Sequence, residues 1–266
     1  MAANPVRLSV WAYVGIVVAY LALLFVVTAV MTRGIDTQYA TATNVDQLWR
    51  SLTVPLGAAL LFVLAVVAAL RWWRPVLRDD RPVQRWVIIV PVIQLAAILL
   101  AVNYGGLADR GLAFTLLLLL TALLVGFGEE IMFRGLGVTV FRANGFTEGK
   151  VALWSTVIFG LAHSTNLFTS EGTGAIIQVF IAALSGYFFY LVRRRSGGIL
   201  VPAIVHGLWD FALISGTTVP GEHYPGFVAS ILALVVLTVI LLLRRHRVEL
   251  VDENAKGPSV TGPRNS

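Results

Sequence analysis

Apolar runs of about twenty residues recur from Leu8 to Leu243, separated by short polar stretches rich in arginine, glycine and proline. A run of roughly 18 or more apolar residues is long enough to cross a bilayer as a helix. The pattern predicts eight such spans: Leu8–Met31, Leu52–Trp72, Trp86–Ala108, a fourth starting at Leu112, Val151–Phe168, Thr173–Val192, Gly198–Gly216 and Phe227–Leu243. The first run exceeds the apolar core of a signal peptide, so it reads as a retained helix. Alternating segments of about ten residues, as a membrane barrel requires, are absent. Pro75 and Pro82 break the arginine-rich linker Arg71–Arg85, and Pro91 sits near the start of a span. Residues 1–248 therefore read as one membrane-embedded helical unit, and 249–266, with Pro258, Gly262 and Pro263, as a disordered cytoplasmic tail.

Composition supports this reading. The chain is 58% hydrophobic and 13% charged, with a mean hydropathy of +0.82, well beyond a soluble domain. With no cysteine it has no disulfide, thiolate nucleophile or sulfur-ligated metal. A net charge of +6 and a pI near 10.1 could suggest a nucleic-acid partner, but the arginines lie in short loops, where membrane topology accounts for them and nucleic acid is not expected. Arginine-rich loops follow the second, fourth, sixth and eighth spans, and the intervening loops are poor in basic residues. The positive-inside rule then places both termini in the cytoplasm. On this rule Arg193, Arg194 and Arg195 act as a topology signal, with lipid head-group contact as a side effect. The lysine-poor loops suit a bacterial cell membrane.

Three groups of polar residues fall inside predicted spans: Glu129, Glu130 and Arg134 in the fourth, His163 and Asn166 in the fifth, His206 and Asp210 in the seventh. An ionised side chain at the centre of a membrane helix costs about 2.5–3.5 kcal/mol on insertion scales, so such groups normally face a protein interior and pair with one another. Glu130 and Arg134 stand at i and i+4, within pairing reach. Glu129 points about 100° away and is left for another duty. At about 1.5 Å per residue, Glu129 and His163 lie roughly 20 Å from the cytoplasmic flank and His206 roughly 12 Å, with Asp210 one turn deeper. Helices four, five and seven can thus bring these groups to one level, within a core region spanning 112–216.

Such a set suits hydrolysis. A carboxylate beside a neutral imidazole can deprotonate water, and a second imidazole, oriented by a carboxylate one turn along, can donate to a developing oxyanion. Glu129, His163 and His206 could equally ligate a metal, zinc being the ion these ligand types fit, although glutamate–histidine activation of water requires none. A serine nucleophile would have to be Ser155 or Ser164, and neither sits in a Gly-x-Ser-x-Gly stretch; no HExxH is present. Phe159 and Asn166 flank His163 as candidates for substrate contact, Phe159 also as packing beneath the imidazole and Asn166 also as a cap. His223, in an outer loop, and His246, among arginines, read as solvated.

Glu129-Glu130-x-x-x-Arg134, Phe159-x-x-x-His163 and His206-x-x-x-Asp210, in this order on separate spans, resemble the CPBP family of intramembrane endopeptidases (type II CAAX prenyl protease and bacteriocin-processing, ABI-type). The resemblance covers about 85 residues; the first three spans and the last carry no comparable signature. It implies that Glu129 and His163 activate water, that Glu130 holds Arg134, and that His206 and Asp210 serve the oxyanion or complete the site. The best-known eukaryotic members have asparagine at the last position. An amide can donate a hydrogen bond to an oxyanion and an ionised carboxylate cannot, so Asp210 would be protonated, orient His206 or bind a metal. The expected activity is cleavage of a membrane-embedded or membrane-anchored protein or peptide, with oligomeric state open. The rival readings are a proton-coupled transporter and a catalytically inactive scaffold or immunity protein.

Overall fold

The computed structural model describes residues 7–35, 43–168, 173–216 and 226–250. The fold is all-helical, with two isolated antiparallel bridges, Arg78 with Gly198 and Val83 with Glu249. Nine helices are seen among the described residues: α1 Val10–Met31, α2 Val45–Leu70, α3 Trp73–Leu77, α4 Arg85–Ala101, α5 Tyr104–Ala143, α6 Glu148–Ala162, α7 Thr173–Ser196, α8 Leu200–Ser215 and α9 Gly226–Leu243. The expected tail from residue 251 onward and His223 lie outside the described residues.

Local chemistry starts and stops these helices where the sequence carries the means. The side chains of Ser9, Asn44 and Asn103 accept hydrogen bonds from backbone N–H groups of the first turns of α1, α2 and α5, at 3.2, 2.9 and 3.0 Å, as capping residues do. Two boundaries differ from the sequence expectation. The third span ends at Ala101, and the next helix begins at Tyr104 instead of after a loop at 108–111. The expected break is nevertheless present inside α5, where Gly111 takes a φ of 82° and kinks the helix, a conformation that glycine reaches without steric cost.

Of the eight expected spans, four helical stretches are long and apolar enough to cross a membrane by length and composition: Val10–Met31, Val45–Leu70, Tyr104–Ala143 and Ile176–Ser196. Arg85–Ala101, Leu200–Ser215 and Val228–Leu243 are shorter apolar helices. The expected fifth span is α6 followed by a 3-10 segment, His163–Phe168. Large apolar side chains such as Leu61, Leu100 and Leu112 point outward, each about seven-tenths exposed. In water such a surface would favour aggregation, whereas in lipid it is the required exterior. The protein is an integral membrane protein.

α8 packs along α5, α6 along α7, α1 along α2, and α9 against α4 and α7. The α5–α8 crossing is close because it is made of glycine. A Cβ at Gly126 would lie 2.2 Å from the Ala203 carbonyl oxygen, and one at Gly207 would lie 2.9 Å from that of Ala122. This contact sets Glu129 and Glu130 on α5 opposite His206 on α8.

The arginine-rich loops converge at one end of the bundle. Arg142 Nη1 reaches Asp79 Oδ2 at 2.9 Å, and Arg193 Nε reaches the same oxygen at 3.0 Å. Arg194 makes a forked pair with Glu249 at 2.6 and 2.7 Å, and Arg7 donates to the Ala143 carbonyl. The basic-poor loops meet at the other end, where Arg110 donates to Thr43 O at 2.7 Å and Arg50 to Met31 O at 2.7 Å. The alternation read from loop charge is therefore the alternation of helix ends. One expectation is corrected: Arg193 and Arg194 are buried, and their guanidiniums bind backbone carbonyls and carboxylates instead of lying free for lipid head groups. Glu249, placed by sequence in the disordered tail, is tied down by Arg194. His246 is exposed, as expected.

Glu148 joins this end of the bundle together. Its carboxylate accepts from Arg142 at 2.9 and 2.8 Å, from the Tyr190 hydroxyl at 2.5 Å and from Arg81. Burial pushes the Glu148 carboxyl up, but the hydrogen bonds from Arg142 and Tyr190 outweigh it and hold the group at about 2, below its ordinary 4.5. A carboxyl lowered on folding stabilises the fold above its unfolded value and loses that contribution as pH falls through the folded one. Glu148→Gln should therefore melt below wild type in detergent at pH 7, and the gap should close between pH 4.5 and about 2. A gap independent of pH would contradict this account.

Candidate functional site

The site is built on a change of helix type. α5 runs as a regular α-helix to Glu129, then as a π-helix over Glu130–Gly137, and again as an α-helix over Val138–Ala143. π-helical turns are rare and frequently mark functional sites. Glycines frame this one. A Cβ at Gly137 would lie 2.5 Å from the Tyr13 hydroxyl oxygen and one at Gly128 3.2 Å from that of Tyr20, so α1 presses two tyrosines into the gaps. The Tyr13 hydroxyl also donates to the Met132 carbonyl, at 3.4 Å. At the junction before the π-helical stretch, the backbone N–H of Glu130 still reaches the Gly126 and Phe127 carbonyls.

Glu130 is the hub. It is fully buried, and its Oε1 lies 2.9 Å from Arg134 Nη1 and 2.9 Å from His206 Nδ1. A carboxylate oxygen only accepts, so His206 Nδ1 carries the proton directed at it. The pairing anticipated from the i, i+4 spacing is present, together with a second partner from α8 that the spacing could not show. The Arg134 guanidinium, also fully buried, lies over the Phe159 ring with Cζ 3.8 Å from its centroid, a cation–π contact worth about 2 kcal/mol or more when desolvated. The Arg134 carbonyl accepts from Arg193, which couples the site to the ionic end.

His206 turns its other nitrogen to two more acids. Nε2 lies 3.7 Å from Glu129 Oε2 and 3.7 Å from Asp210 Oδ2. Phe189 stacks on the imidazole at 4.6 Å between centroids, fixing its plane. Glu129 Oε2 is enclosed and makes no hydrogen bond among the described residues. Five of the six predicted catalytic residues, Glu129, Glu130, Arg134, His206 and Asp210, thus form one contiguous cluster. Three carboxylates surround one imidazole and one guanidinium.

His163 joins through an aromatic ring. It stands where α6 gives way to the 3-10 segment, and its Nδ1 lies 2.9 Å from the Phe159 carbonyl oxygen. That oxygen accepts only, so Nδ1 is protonated and Nε2 carries the lone pair, the tautomer a base needs. The Phe159 ring meets His163 edge-on at 4.7 Å and His206 at 6.0 Å. No carboxylate lies within ion-pairing distance of His163 among the described residues.

The other candidates separate. Phe159 is 1% exposed, enclosed by Phe133, both imidazoles and the guanidinium; it is a packed floor and offers no free face to a substrate. Asn166 is buried, and its Nδ2 donates to Gln178 on α7 at 2.7 Å, so it braces the segment after His163. Ser155 and Ser164 donate to the carbonyls of Ala152 and Leu161, and no serine bonds a histidine among the described residues. Glu129, His163 and His206, the trio offered as metal ligands, do not assemble: no three His, Cys, Asp or Glu side chains form a metal-holding group among the described residues. Both Nδ1 atoms are committed to oxygen acceptors, and His163 stands apart from the carboxylates. Phe189, Arg193 and the α1 tyrosines were not foreseen. Their only sequence signal is the seven-residue spacing of Tyr13 and Tyr20, two helical turns that put both on one face.

Comparison with known proteins places the same stretch in context. Residues 111–212 match the family model described as type II CAAX prenyl endopeptidase Rce1-like, so the resemblance read from the three motifs is borne out over this stretch. A curated relative, an uncharacterized 24.3 kDa protein of Escherichia coli, is 34% identical over 103 residues. That alignment covers 37% of this chain and 43% of the relative, so the chain spans less than half the length of the protein it matches. No solved structure matches.

Removing one partner of a buried ion pair costs about 3–5 kcal/mol because the other charge is left uncompensated. Arg134→Met should therefore destabilise the protein by about that amount, and adding Glu130→Gln should recover part of the loss. Strictly additive effects in thermal unfolding would show that the two side chains do not depend on each other.

Proposed function

We propose that this chain is an intramembrane endopeptidase that hydrolyses peptide bonds in membrane-associated proteins or peptides, with water activated by Glu129 and His163. The observation that carries the reading is the unequal treatment of two adjacent acids. Glu130 is committed to Arg134 and His206, whereas Glu129 Oε2 is enclosed with no hydrogen-bond partner among the described residues. Glu129 Oε2 therefore remains available to accept a proton from water.

Glu129 accepts a proton from water while the water oxygen bonds to the scissile carbonyl carbon. The carbonyl π pair moves onto oxygen, giving a tetrahedral oxyanion. Collapse of that intermediate restores the carbonyl and breaks the C–N bond, and the proton held by Glu129 passes to the departing amine. His163 Nε2, the lone-pair nitrogen, orients the attacking water. His206, held by Glu130 and Phe189, acts as an imidazolium, with Nδ1–H on Glu130 and Nε2–H facing the oxyanion, and Asp210 orients it from one turn away. Arg134 pairs with Glu130 and holds it in place as the acceptor for His206 Nδ1–H.

The family match over 111–212 supports hydrolysis over the proton-relay and inactive-scaffold readings. The arginine-rich, lysine-poor loops favour a bacterial cell membrane with both termini in the cytoplasm. Prenylated carboxyl-terminal cysteines are not the expected substrates in that setting. Maturation of a membrane peptide, self-protection against a bacteriocin or cleavage of a membrane regulator fits better.

Purified protein in liposomes, offered a panel of quenched-fluorescence membrane peptides, should cleave at least one of them. Glu129→Gln and His163→Ala should each lower kcat by about 10²–10⁴ while leaving thermal unfolding close to wild type. Undiminished cleavage by Glu129→Gln would remove that residue from the chemistry.

A further inference from the structure

Peptide hydrolysis by this site leaves one requirement unmet. A tetrahedral oxyanion is stabilised by hydrogen-bond donors fixed in advance at its position, usually more than one. His206 supplies one donor at most, through Nε2, because Nδ1 is spent on Glu130. Asp210, in the position where the resembling family has an amide, has no N–H at all. An ionised carboxylate is acceptor-only.

The residue beside it has what Asp210 lacks. Trp209 is 6% exposed, and its indole Nε1 is an enclosed donor with no hydrogen-bond partner among the described residues. Indole N–H groups usually find a partner when buried, and leaving one unmet costs about 1–3 kcal/mol. Trp209 stands three residues after His206, on the same face of α8, with the two rings tilted at 44° and 6.4 Å apart. Five other enclosed atoms without hydrogen bonds belong to the cluster around the same imidazole: Glu129 Oε2, Glu130 Oε2 and the three Arg134 nitrogens. Gln94, Thr156, Thr238 and Arg195 each contribute one more. Enclosed donors and acceptors left without hydrogen bonds around one imidazole are what a site built for a transient polar species leaves behind.

We propose that Trp209 is a catalytic residue whose indole N–H donates to the oxyanion of the tetrahedral intermediate, alongside His206, in place of the amide that Asp210 does not provide. This rests on the endopeptidase reading above. The donor is neutral, does not titrate and reaches further than an asparagine amide. Asp210 is then free to orient His206.

The test uses the full-length protein in liposomes and a peptide that wild type cleaves. Trp209→Phe keeps an aromatic ring and removes the N–H. It should lower kcat by about 10²–10³, the effect of losing one oxyanion donor, with KM and thermal unfolding nearly unchanged. Asp210→Asn supplies an amide donor at the next position, so Trp209→Phe should cost less than tenfold in that background. If Trp209→Phe fails to fold, the indole ¹⁵N–¹H resonance of Trp209 in the wild-type protein is followed on adding a peptidyl phosphonate, a tetrahedral mimic. A downfield shift supports the hydrogen bond, and an unmoved resonance overturns it. Unchanged kcat in Trp209→Phe, with Glu129→Gln still inactive, overturns the Trp209 assignment alone. Cleavage surviving Glu129→Gln overturns the underlying reading instead.

Discussion

Glu130 Oε1 is ion-paired with Arg134 Nη1 and accepts a hydrogen bond from His206 Nδ1, each at 2.9 Å, and the rest of the site depends on that shared oxygen. A buried carboxylate without compensation would protonate or unfold its surroundings. With a guanidinium on one side and an imidazole N–H on the other, Glu130 is compensated and holds α8 against α5 at a fixed register. The imidazole then turns Nε2 toward Glu129 and Asp210. Arg134 is itself kept in place by the Phe159 face and by Arg193, which grips its carbonyl. A chain of contacts therefore runs from the ionic end of the bundle to the acid–imidazole cluster.

Backbone geometry makes this arrangement affordable. The Gly126–Gly207 crossing lets two helices approach until a single methyl would collide, and the π-helical stretch rotates Glu130 and Arg134 inward while Glu129 ends the regular helix. Tyr13 and Tyr20 close the spaces that Gly137 and Gly128 leave. α1 lies outside the stretch matched by the family model, yet its tyrosines pack against the π-helical turn.

Much of this was readable from the residue order. Burying several ionisable groups in apolar helices is expensive enough that they must meet, and five of the six predicted residues do. Loop charge gave the alternation of helix ends, because arginines gather on one side of a membrane whatever the tertiary packing. Less accessible was anything set by contact between distant segments. The i, i+4 rule assumes an α-helix, and it found the Glu130–Arg134 pair without revealing the π-helical turn that carries it. A run of three arginines looks the same whether it faces head groups or, as with Arg193 and Arg194, a buried set of carbonyls and carboxylates. Helix ends misled at Ala108–Gly111, where a glycine kink inside α5 has the same sequence signature as a loop. Phe159 was legible as part of a motif, but only its burial shows it to be a floor beneath the reacting groups.

The most direct measurement is a single turnover of a cleavable membrane peptide in H₂¹⁸O, with peptide products and intact protein weighed after rapid quenching. Direct attack of a Glu129-activated water predicts one ¹⁸O in the new carboxylate and no mass added to the protein at any time. A covalent peptide adduct on the protein, or proton movement across the liposome with no cleavage, would contradict it.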